Sequence, residues 1–445
     1  MRLLFLLLLF PFSLVAAESP PAEKLAPVKH IIVLYLENHS FDNLFGTFPG
    51  ADGISDASDK AIQVDETGTP YKTLPVVMKV TMNGKTADSR FPSNLPNQPF
   101  LINKYVPDDQ KIGDLVHRFY QLQAQINSGR MNMFSAVSNA GGLTQGYYEE
   151  KNSPLWQYAK KYTLLDHFFT GAFGGSFLNH MWLVCACTPQ YKNAPAGIRA
   201  TLDDKDNLVN DGALTPDGYA VNTIEPFYEP YDKRASDATK RLPPQIMPTI
   251  GDRLTEKHID WAWYSGGWHD ADAGNPDPLF EFHHQPFVYF SNYAPGTTAR
   301  VNHLKDESDF VAAIENGKLP PVSFYKPIGS NDLHPGYANL NDSEEHIFSL
   351  VKKIEASPLW KDSVIIVTFD DAGGFWDHVA PPKGDRFGPG ERVPTLIISP
   401  FAKRGFIDHN TYDTTSILKL VEDKFGLTPL GARDAKATDF INAFN

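Results

Sequence analysis

Two apolar runs in this sequence end in side chains that carry oxygen ligands. Residues 29–36 are followed by Glu37 and Asn38, and a second run is followed by Asp370 and Asp371. The carboxyl ends of parallel strands meet at one edge of a sheet, so we expect these four side chains to converge. Carboxylate and amide oxygens are ligands that hard divalent cations prefer. The two pairs together predict a metal site, whereas either pair alone is more simply interpreted as solvated loop acids.

A serine follows a glycine-rich turn in the segment TGAFGGSFLNH, and this serine is Ser176. At the start of a helix its hydroxyl lies near free backbone N–H groups and the positive end of the helix dipole. That environment binds phosphate and favours the alkoxide form of the serine, the more so beside a metal. The alternative is a serine that only caps the helix. The segment lacks the Gly-x-Ser-x-Gly pattern, so it does not indicate an acyl-transfer hydrolase.

Several histidines could contact a phosphoryl group or protonate a leaving oxygen, because imidazole titrates near neutral pH. A lone histidine is more often a hydrogen-bonded core or surface group, but the pair His283–His284 lies in an aromatic-rich segment and is more suggestive. The candidates are His117, His180, His283, His284, His346 and His378.

Other polar residues close to the predicted ligands are expected to support them rather than to bind the metal. These supporting candidates are Asp42, Asn179, His180, Asp377 and His378. A metal-activated hydroxyl, an anion-binding turn and proton donors at one sheet edge together predict metal-assisted phosphoryl transfer.

Strand-like runs alternate with helical ones along the chain, which predicts an α/β fold of three layers with a mostly parallel sheet. Among the predicted helices, residues 113–137 would carry His117 and residues 343–356 would carry His346. We predict one catalytic domain over residues 18–445, with long loop insertions near 47–110 and 188–245.

Residues 1–17 combine one basic residue, an apolar run and small residues at Val15 and Ala17, which predicts a Sec-type signal peptide. We therefore expect a secreted or periplasmic protein without an integral membrane segment. The net charge of −13 argues against nucleic-acid partners, since binding to phosphate backbones needs basic surface. The oligomeric state is left open.

The two cysteines are Cys185 and Cys187. On a helix they would point to different sides, and a disulfide across so short a loop would be strained. We therefore favour two buried thiols, with a strained bridge as the alternative.

The segments LENHSFDNLFG, GGSFLNH, the His-His pair and FDDAGGFWDHVAPP resemble a bacterial phosphoesterase family that contains phospholipases C and AcpA-type acid phosphatases. The resemblance runs in order over nearly the whole chain after the signal peptide. It implies an alkaline-phosphatase-like α/β core with one divalent metal held by Glu37, Asn38, Asp370 and Asp371. It further implies that Ser176 forms a phosphoseryl intermediate. By the same resemblance, the histidines around the phosphoryl group and the leaving oxygen are His117, His283, His284 and His346.

The chain departs from the phospholipase C pattern at two positions. Asp371 stands where those enzymes commonly have Glu, and His180 stands where many have Arg, and both residues are similar to the acid phosphatases. We favour a phospholipase C acting on phospholipid. The first alternative is a broad acid phosphatase acting on small phosphate esters, and the second is a non-catalytic exported protein that binds metal or phosphate. An oxygen-only ligand set does not favour zinc, yet the metal's identity stays open.

Overall fold

A computed structural model describes residues 24–81 and 84–445, so the predicted signal peptide lies outside the described residues. The core of the fold is a central sheet of eight strands. In chain order these are β1 (His30–Leu36), β2 (Thr163–Leu165), β3 (Trp261–Ser265), β4 (Leu304–Asp306), β5 (Val322–Lys326), β6 (Ser363–Phe369), β7 (Thr395–Ile398) and β8 (Phe406–Asp408).

The strand order across the sheet is β4-β3-β5-β1-β6-β7-β2-β8, and only β7 runs antiparallel to the others. The long strand β1 lies in the middle, parallel to β5 on one side and to β6 on the other. Its last residue, Leu36, pairs with Phe369, so the residues that follow β1 and β6 leave the sheet side by side.

Helices cover both faces of the sheet. Those of the described chain are α1 (Phe41–Phe45), α2 (Phe119–Ile126), α3 (Phe134–Val137), α4 (Pro154–Lys161), α5 (Ser176–Cys185), α6 (Ile250–Glu256), α7 (Trp268–Asp272), α8 (Thr298–His303), α9 (Glu307–Glu315), α10 (Leu340–Ala356) and α11 (Thr414–Phe425). Helix α5 contacts α6 and α11, while α10 contacts α4 and α9.

Side-chain contacts show which face each group covers. Tyr35 of β1 points to α5, where its ring packs edge-on against His180. Tyr325 of β5 is in register with Leu34, the neighbour of Tyr35, and therefore points to the opposite face. There its ring stacks on Phe310 of α9, and its hydroxyl lies 2.8 Å from Nε2 of His346 on α10. The prediction of a three-layer α/β fold with a mostly parallel sheet is confirmed.

The prediction of one helix over 113–137 is wrong. Residues 113–118 are irregular, so His117 is not on a helix, and α2 and α3 are short. The chain turns between them through Asn127, Ser128 and Met131, whose φ angles of 48°, 56° and 54° are left-handed. A continuous helix cannot include such residues.

The two regions expected to be insertions contain little regular structure. Residues 47–110 hold short strands at Met78–Thr81, Gly84–Ala87 and Phe100–Leu101, and residues 188–245 hold the pair Thr201–Leu202 and Leu208–Asn210. Within residues 24–81 and 84–445, none of the helices combines the length and hydrophobicity that crossing a membrane requires.

The expectation of two free thiols is wrong, because the structure joins Cys185 and Cys187 in a disulfide. Helix α5 ends at Cys185, and Ala186 adopts a left-handed conformation with φ 48°. Since Cys187 lies beyond this turn, the two side chains no longer point to different sides of one helix.

Candidate metal and phosphate site

Three carboxylates converge on the side-chain amide of Asn38. The oxygen end of that amide lies 3.0 Å from Glu37 Oε2, 3.1 Å from Asp370 Oδ1, and 3.2 and 3.3 Å from the two oxygens of Asp371. All four residues are buried. Asn38 has φ 65°, and this left-handed turn lets consecutive side chains reach the same point. The four residues predicted as metal ligands therefore lie together.

A cation fits the chemistry of this cluster. An amide oxygen facing four carboxylate oxygens has no hydrogen to share with them, so either the amide is turned to present its N–H₂ group or a cation lies among the oxygens. Carboxylate and amide oxygens are suitable ligands for a divalent metal. The residues that would hold it are Glu37, Asn38, Asp370 and Asp371.

One buried lysine partly balances the negative charge. Lys326, the last residue of β5, contacts Glu37 Oε1, and its Nζ lies 3.3 Å from Asp370 Oδ2. Burial by itself raises the pKa of Glu37, but the charges of Lys326 and His284 hold this pKa well below its usual range. Burial and the charge of Glu37 raise the pKa of Asp370, and burial also raises that of Asp371. The raised pKa values of Asp370 and Asp371 show that one lysine does not offset the cost of burying three carboxylates together, and a divalent cation among them would do so.

Ser176 is the first residue of α5, and its hydroxyl faces the carboxylate cluster. Its Oγ lies 3.0 Å from Asp371 Oδ2, 3.2 Å from Glu37 Oε2 and 3.4 Å from Asn38 Oδ1. The structure gives this side chain no role in capping α5, where Gly175 is the capping residue. The hydroxyl is therefore directed at the predicted metal ligands.

Asn179 holds the glycine turn that precedes Ser176. Its Oδ1 accepts a hydrogen bond from the backbone N–H of Ala172 at 2.8 Å, and its Nδ2 donates to the carbonyls of Gly174 and Gly175, each at 3.3 Å. Asn179 is fully buried and does not reach the cavity. The structure thus gives it the supporting position expected of it.

A cavity of about 390 Å³ opens above Ser176. His117, His283 and His284 line it, as does Glu37. His284 Nε2 lies 2.9 Å from Glu37 Oε1, and His117 Nδ1 is 2.6 Å from the carbonyl of Leu115.

The histidines of the cavity differ in how readily they hold a proton. Burial lowers the pKa of His284 to about 4 and that of His283 well below its usual range. Burial also opposes the charge of His117, but Asp371 and Asp114 raise its pKa. His117 therefore keeps a proton more readily than the His-His pair does.

Two further residues of this site were missed by the sequence reasoning. His334 lines the cavity, stacks on Tyr337 at 4.2 Å and lies 4.0 Å from Glu37 Oε2. Asp332 accepts the backbone N–H of His334 at 2.8 Å and lies with Glu37 and His284 in a buried group able to hold a metal. Both follow β5, the strand next to β1, and this position after a predicted strand is the signal that could have found them.

The structure does not bring His346 to this cavity, which corrects its assignment as a catalytic residue. His346 lies on α10, on the opposite face of the sheet from α5, and its Nε2 is 3.3 Å from Glu307 Oε1. Sequence spacing could not show this, because the face that a helical residue takes depends on how the helix packs.

His180 does not line the cavity either. It is fully buried, its Nδ1 lies 2.7 Å from the carbonyl of Ser176, and its ring stacks on His284. Burial and the charge of Lys326 lower its pKa well below its usual range. His180 therefore supports His284 from behind and supplies no cation to a bound phosphate.

Asp42, Asp377 and His378 form a separate buried cluster around Arg392. Asp42 Oδ2 lies 2.6 Å from His378 Nδ1, and the Arg392 guanidinium contacts Asp42 at 3.1 Å and Asp377 at 3.0 Å. None of them lines the cavity. They tie the loop after β1 to the loop after β6, and so fix the two ligand pairs relative to each other.

The cavity wall carries acids beyond the cluster. Asp114 and Glu281 line it, as does Arg118, and the insertion at 188–245 contributes Asn222 and Thr223. Burial and the charge of Glu37 raise the pKa of Glu281 to about 7. Above that pH, where Glu281 is ionised, these acids repel a dianionic ligand more strongly than a monoanionic one.

Comparisons with known proteins relate this chain to one family. The sequence profile of the phosphoesterase family matches residues 28–428. Phospholipase C B of Mycobacterium tuberculosis is 25% identical over 96% of this chain and 79% of its own length. The non-hemolytic phospholipase C of Pseudomonas aeruginosa is 24% identical over 98% of this chain and 60% of its own length. A solved alkaline phosphatase superfamily protein from Vibrio parahaemolyticus matches 72% of this chain and 67% of its own with 13% identity and a TM-score of 0.35. We draw no conclusion from similarity at that score.

Proposed function

The chain belongs to the phosphoesterase family and is a phosphoric ester hydrolase. We propose that it is a metal-dependent phospholipase C, which hydrolyses a phosphodiester through a phosphoserine intermediate. The observation that carries the proposal is the position of Ser176. Its Oγ lies between 3.0 and 3.4 Å from the oxygens of Asp371, Glu37 and Asn38 at the base of a cavity. A hydroxyl in that position can attack a phosphorus atom bound in the cavity.

The proposed first step forms a bond from Ser176 Oγ to phosphorus and breaks the bond to the leaving oxygen. The Ser176 hydroxyl can donate its hydrogen to Asp371 Oδ2, which lies 3.0 Å from Oγ. This carboxylate can accept the proton as the bond from Oγ to phosphorus forms. His117 has the raised pKa of a proton donor and lines the cavity, so we assign it the proton that the leaving oxygen takes up. Water then attacks the phosphorus and passes one proton to His117, the bond from Ser176 Oγ to phosphorus breaks, and Oγ takes back the hydrogen held by Asp371.

A divalent metal held by Glu37, Asn38, Asp370 and Asp371 would polarise the phosphoryl oxygens and favour the alkoxide of Ser176. Lys326 and Asn179 act through other residues: the lysine orients Glu37 and Asp370, and the amide fixes the turn before Ser176.

The charges of the cavity favour a diester over a monoester. Asp114 and, above its pKa of about 7, Glu281 add negative charge. Burial lowers the pKa of His284 to about 4 and that of His283 well below its usual range, so neither histidine offsets that charge near neutral pH. A diester brings one negative charge and a monoester brings up to two. Two of the relatives are named phospholipases C, which also favours a phospholipid substrate.

We also propose, from the sequence of residues 1–17, that the enzyme is exported, and that residues 18–445 act as one catalytic domain. The insertion at 188–245 contributes to the cavity wall and would therefore affect which leaving group fits.

Purified enzyme tests the proposal with p-nitrophenylphosphorylcholine and p-nitrophenyl phosphate as paired substrates. We expect the diester to be hydrolysed with the higher kcat/KM, and Ser176→Ala to remove both activities while metal content stays the same. A large preference for the monoester would replace this proposal with an acid phosphatase. Full activity of Ser176→Ala would overturn the nucleophile.

A further inference from the structure

A second pair of neighbouring strands also ends in metal-ligating side chains. Asp166 and His167 follow β2, and His409 follows β8. The two strands are parallel, and Leu165 is in register with Asp408, so the three residues leave the sheet at the same edge. None of them lines the catalytic cavity, and the proposed reaction does not use them.

The three side chains are close enough to share one ion. His167 Nδ1 lies 3.1 Å from Asp166 Oδ1, and His409 Nδ1 lies 2.7 Å from Asp166 Oδ2. One ligand atom from each residue lies within 4.8 Å of the other two. Two nitrogen or oxygen ligands of a tetrahedral zinc are about 3.3 Å apart, which is close to the first of these distances.

The contact between Asp166 Oδ1 and His167 Nδ1 needs a proton or a cation between the two atoms. Asp166 is fully buried, and both its Oδ1 and His167 Nδ1 are buried atoms without a hydrogen-bond partner in the described part of the chain. The other ring nitrogen, His167 Nε2, lies 3.0 Å from Asp52 Oδ2. Asp166 beside it raises the pKa of His167, so a proton can lie between the two atoms at low pH. In the neutral imidazole that donates from Nε2 to Asp52, Nδ1 carries a lone pair, and a cation can take the place of that proton.

We propose that Asp166, His167 and His409 bind a second divalent cation of the zinc type, distinct from the metal of the catalytic cluster. Imidazole nitrogens with one carboxylate are a ligand set that suits zinc, unlike the oxygen-only set around Asn38. A carboxylate on the far nitrogen of a ligating histidine, as Asp52 is here, is the usual support for such a ligand. The His409 side chain is 59% exposed, which leaves a route for the ion and room for water.

The cation would connect distant parts of the chain. Asp52 also lies 2.9 Å from His378 Nε2, and Arg392 donates to the carbonyls of Asp52 and Asp166. An ion bound by Asp166 and His167 would therefore help to hold Asp52 and Arg392 in place, and through them His378 in the loop after β6.

Zinc binding to the full chain tests the proposal. The protein is freed of metal, loaded with Zn²⁺ alone, gel-filtered and analysed for zinc per chain by mass spectrometry. We expect His409→Ala to hold one zinc less than the wild type. His269→Ala is the matched control, because His269 is also 59% exposed and lies 3.0 Å from Asp309. Equal zinc content in His409→Ala and the wild type would overturn the proposal.

A second measurement separates the two centres. In Asp370→Asn, where we expect the catalytic metal to be lost, the remaining zinc should show imidazole nitrogens in its X-ray absorption spectrum. A spectrum with oxygen ligands only would contradict the assignment even if the stoichiometry agreed. Circular dichroism of each variant checks that a loss of zinc does not result from unfolding.

Discussion

At the scale of single residues, the structure separates two histidines that lie close together in the sequence. His334 lines the cavity beside Ser176, whereas His346 is held by Tyr325 and Glu307 on the opposite face of the sheet. Substitution of each histidine in turn therefore tests which of the two contributes to catalysis.

We expect His334→Ala to lower kcat/KM by about 10²-fold, because His334 lines the cavity where it can hydrogen-bond a phosphoryl oxygen, and loss of one such donor typically costs that much. His346→Ala should change kcat/KM by less than about threefold, a difference well below 1.4 kcal/mol of transition-state free energy. Steady-state kinetics with the p-nitrophenyl diester measures both. A large loss in His346→Ala with an unchanged His334→Ala would restore the sequence-based assignment.

Substitution of Lys326 should lower the stability of the folded protein. It is fully buried beside Glu37 and Asp370, so Lys326→Met leaves buried carboxylates without their counter-charge. Breaking a buried pair in this way costs about 3–5 kcal/mol of unfolding free energy. Urea unfolding in the presence of a chelator measures the loss, and added divalent metal should restore part of it.

Lys353→Met is the matched control for Lys326→Met. Lys353 forms an exposed ion pair with Glu315 at 2.9 Å, and such surface pairs contribute about 0–1 kcal/mol. Equal, small losses in the two variants would contradict a charge role for Lys326.

At the scale of elements, the turn before α5 sets the position of the nucleophile. Gly174 has φ 90°, and a Cβ there would lie 2.6 Å from the backbone nitrogen of Phe119. Gly174→Ala should therefore shift the start of α5 and lower kcat by about 10²-fold, since misplacement by 1 Å can cost that much. Gly197→Ala is the control, because a Cβ there meets no atom within 4 Å. Unchanged kcat in Gly174→Ala would show that the turn tolerates the shift.

Helix α10 contains a buried acid whose charge should matter for stability. Glu344 accepts the backbone N–H of Leu155 at 3.1 Å, and burial raises its pKa to about 8. The folded state therefore keeps a proton that the unfolded state releases above pH 4.5, and stability falls as pH rises from there to about 8. Glu344→Gln should remove this loss.

The gain in unfolding free energy of Glu344→Gln over the wild type should grow with pH, by up to about 1.4 kcal/mol per unit in that window. Denaturant unfolding at several pH values measures it. The neighbouring Glu345 is exposed, so Glu345→Gln should show no such trend. A pH-independent difference for Glu344→Gln would mean that this carboxyl is already charged in the folded protein.

At the scale of the whole molecule, the catalytic cluster joins segments more than 330 residues apart, as Glu37 and Asp370 illustrate. A cation bound there would stabilise the folded state alone, because the unfolded chain does not hold these ligands together. Chelation should therefore lower the melting temperature and remove activity together.

The chelation experiment is best done in His409→Ala, where the second proposed ion is absent. We expect added metal to restore both properties there, and Asp370→Asn in the same background to show no response to chelator. Thermal unfolding with parallel activity assays measures this. Activity that survives full removal of metal would contradict metal dependence.

The class of the fold and the ends of the central strands could be predicted from the residue pattern alone. Alternating apolar runs and helical segments predict a parallel α/β sheet, and the polar residues after β1 and β6 stand out because they interrupt such runs. Those patterns are local, and the register of Leu36 with Phe369 brings Glu37 and Asp370 side by side as expected. The position of Ser176 after a glycine turn was visible for the same local reason.

Which distant side chains share the cavity depends on the tertiary structure. Because β5 lies next to β1, His334 lines the cavity and Lys326 contacts Glu37, whereas His346 is excluded because α10 covers the other face. Strand order and helix packing depend on contacts between segments far apart in the chain, and no residue pattern within one segment records them. For the same reason the sequence indicated one metal centre, while the pairing of β2 with β8 brings Asp166 and His409 together.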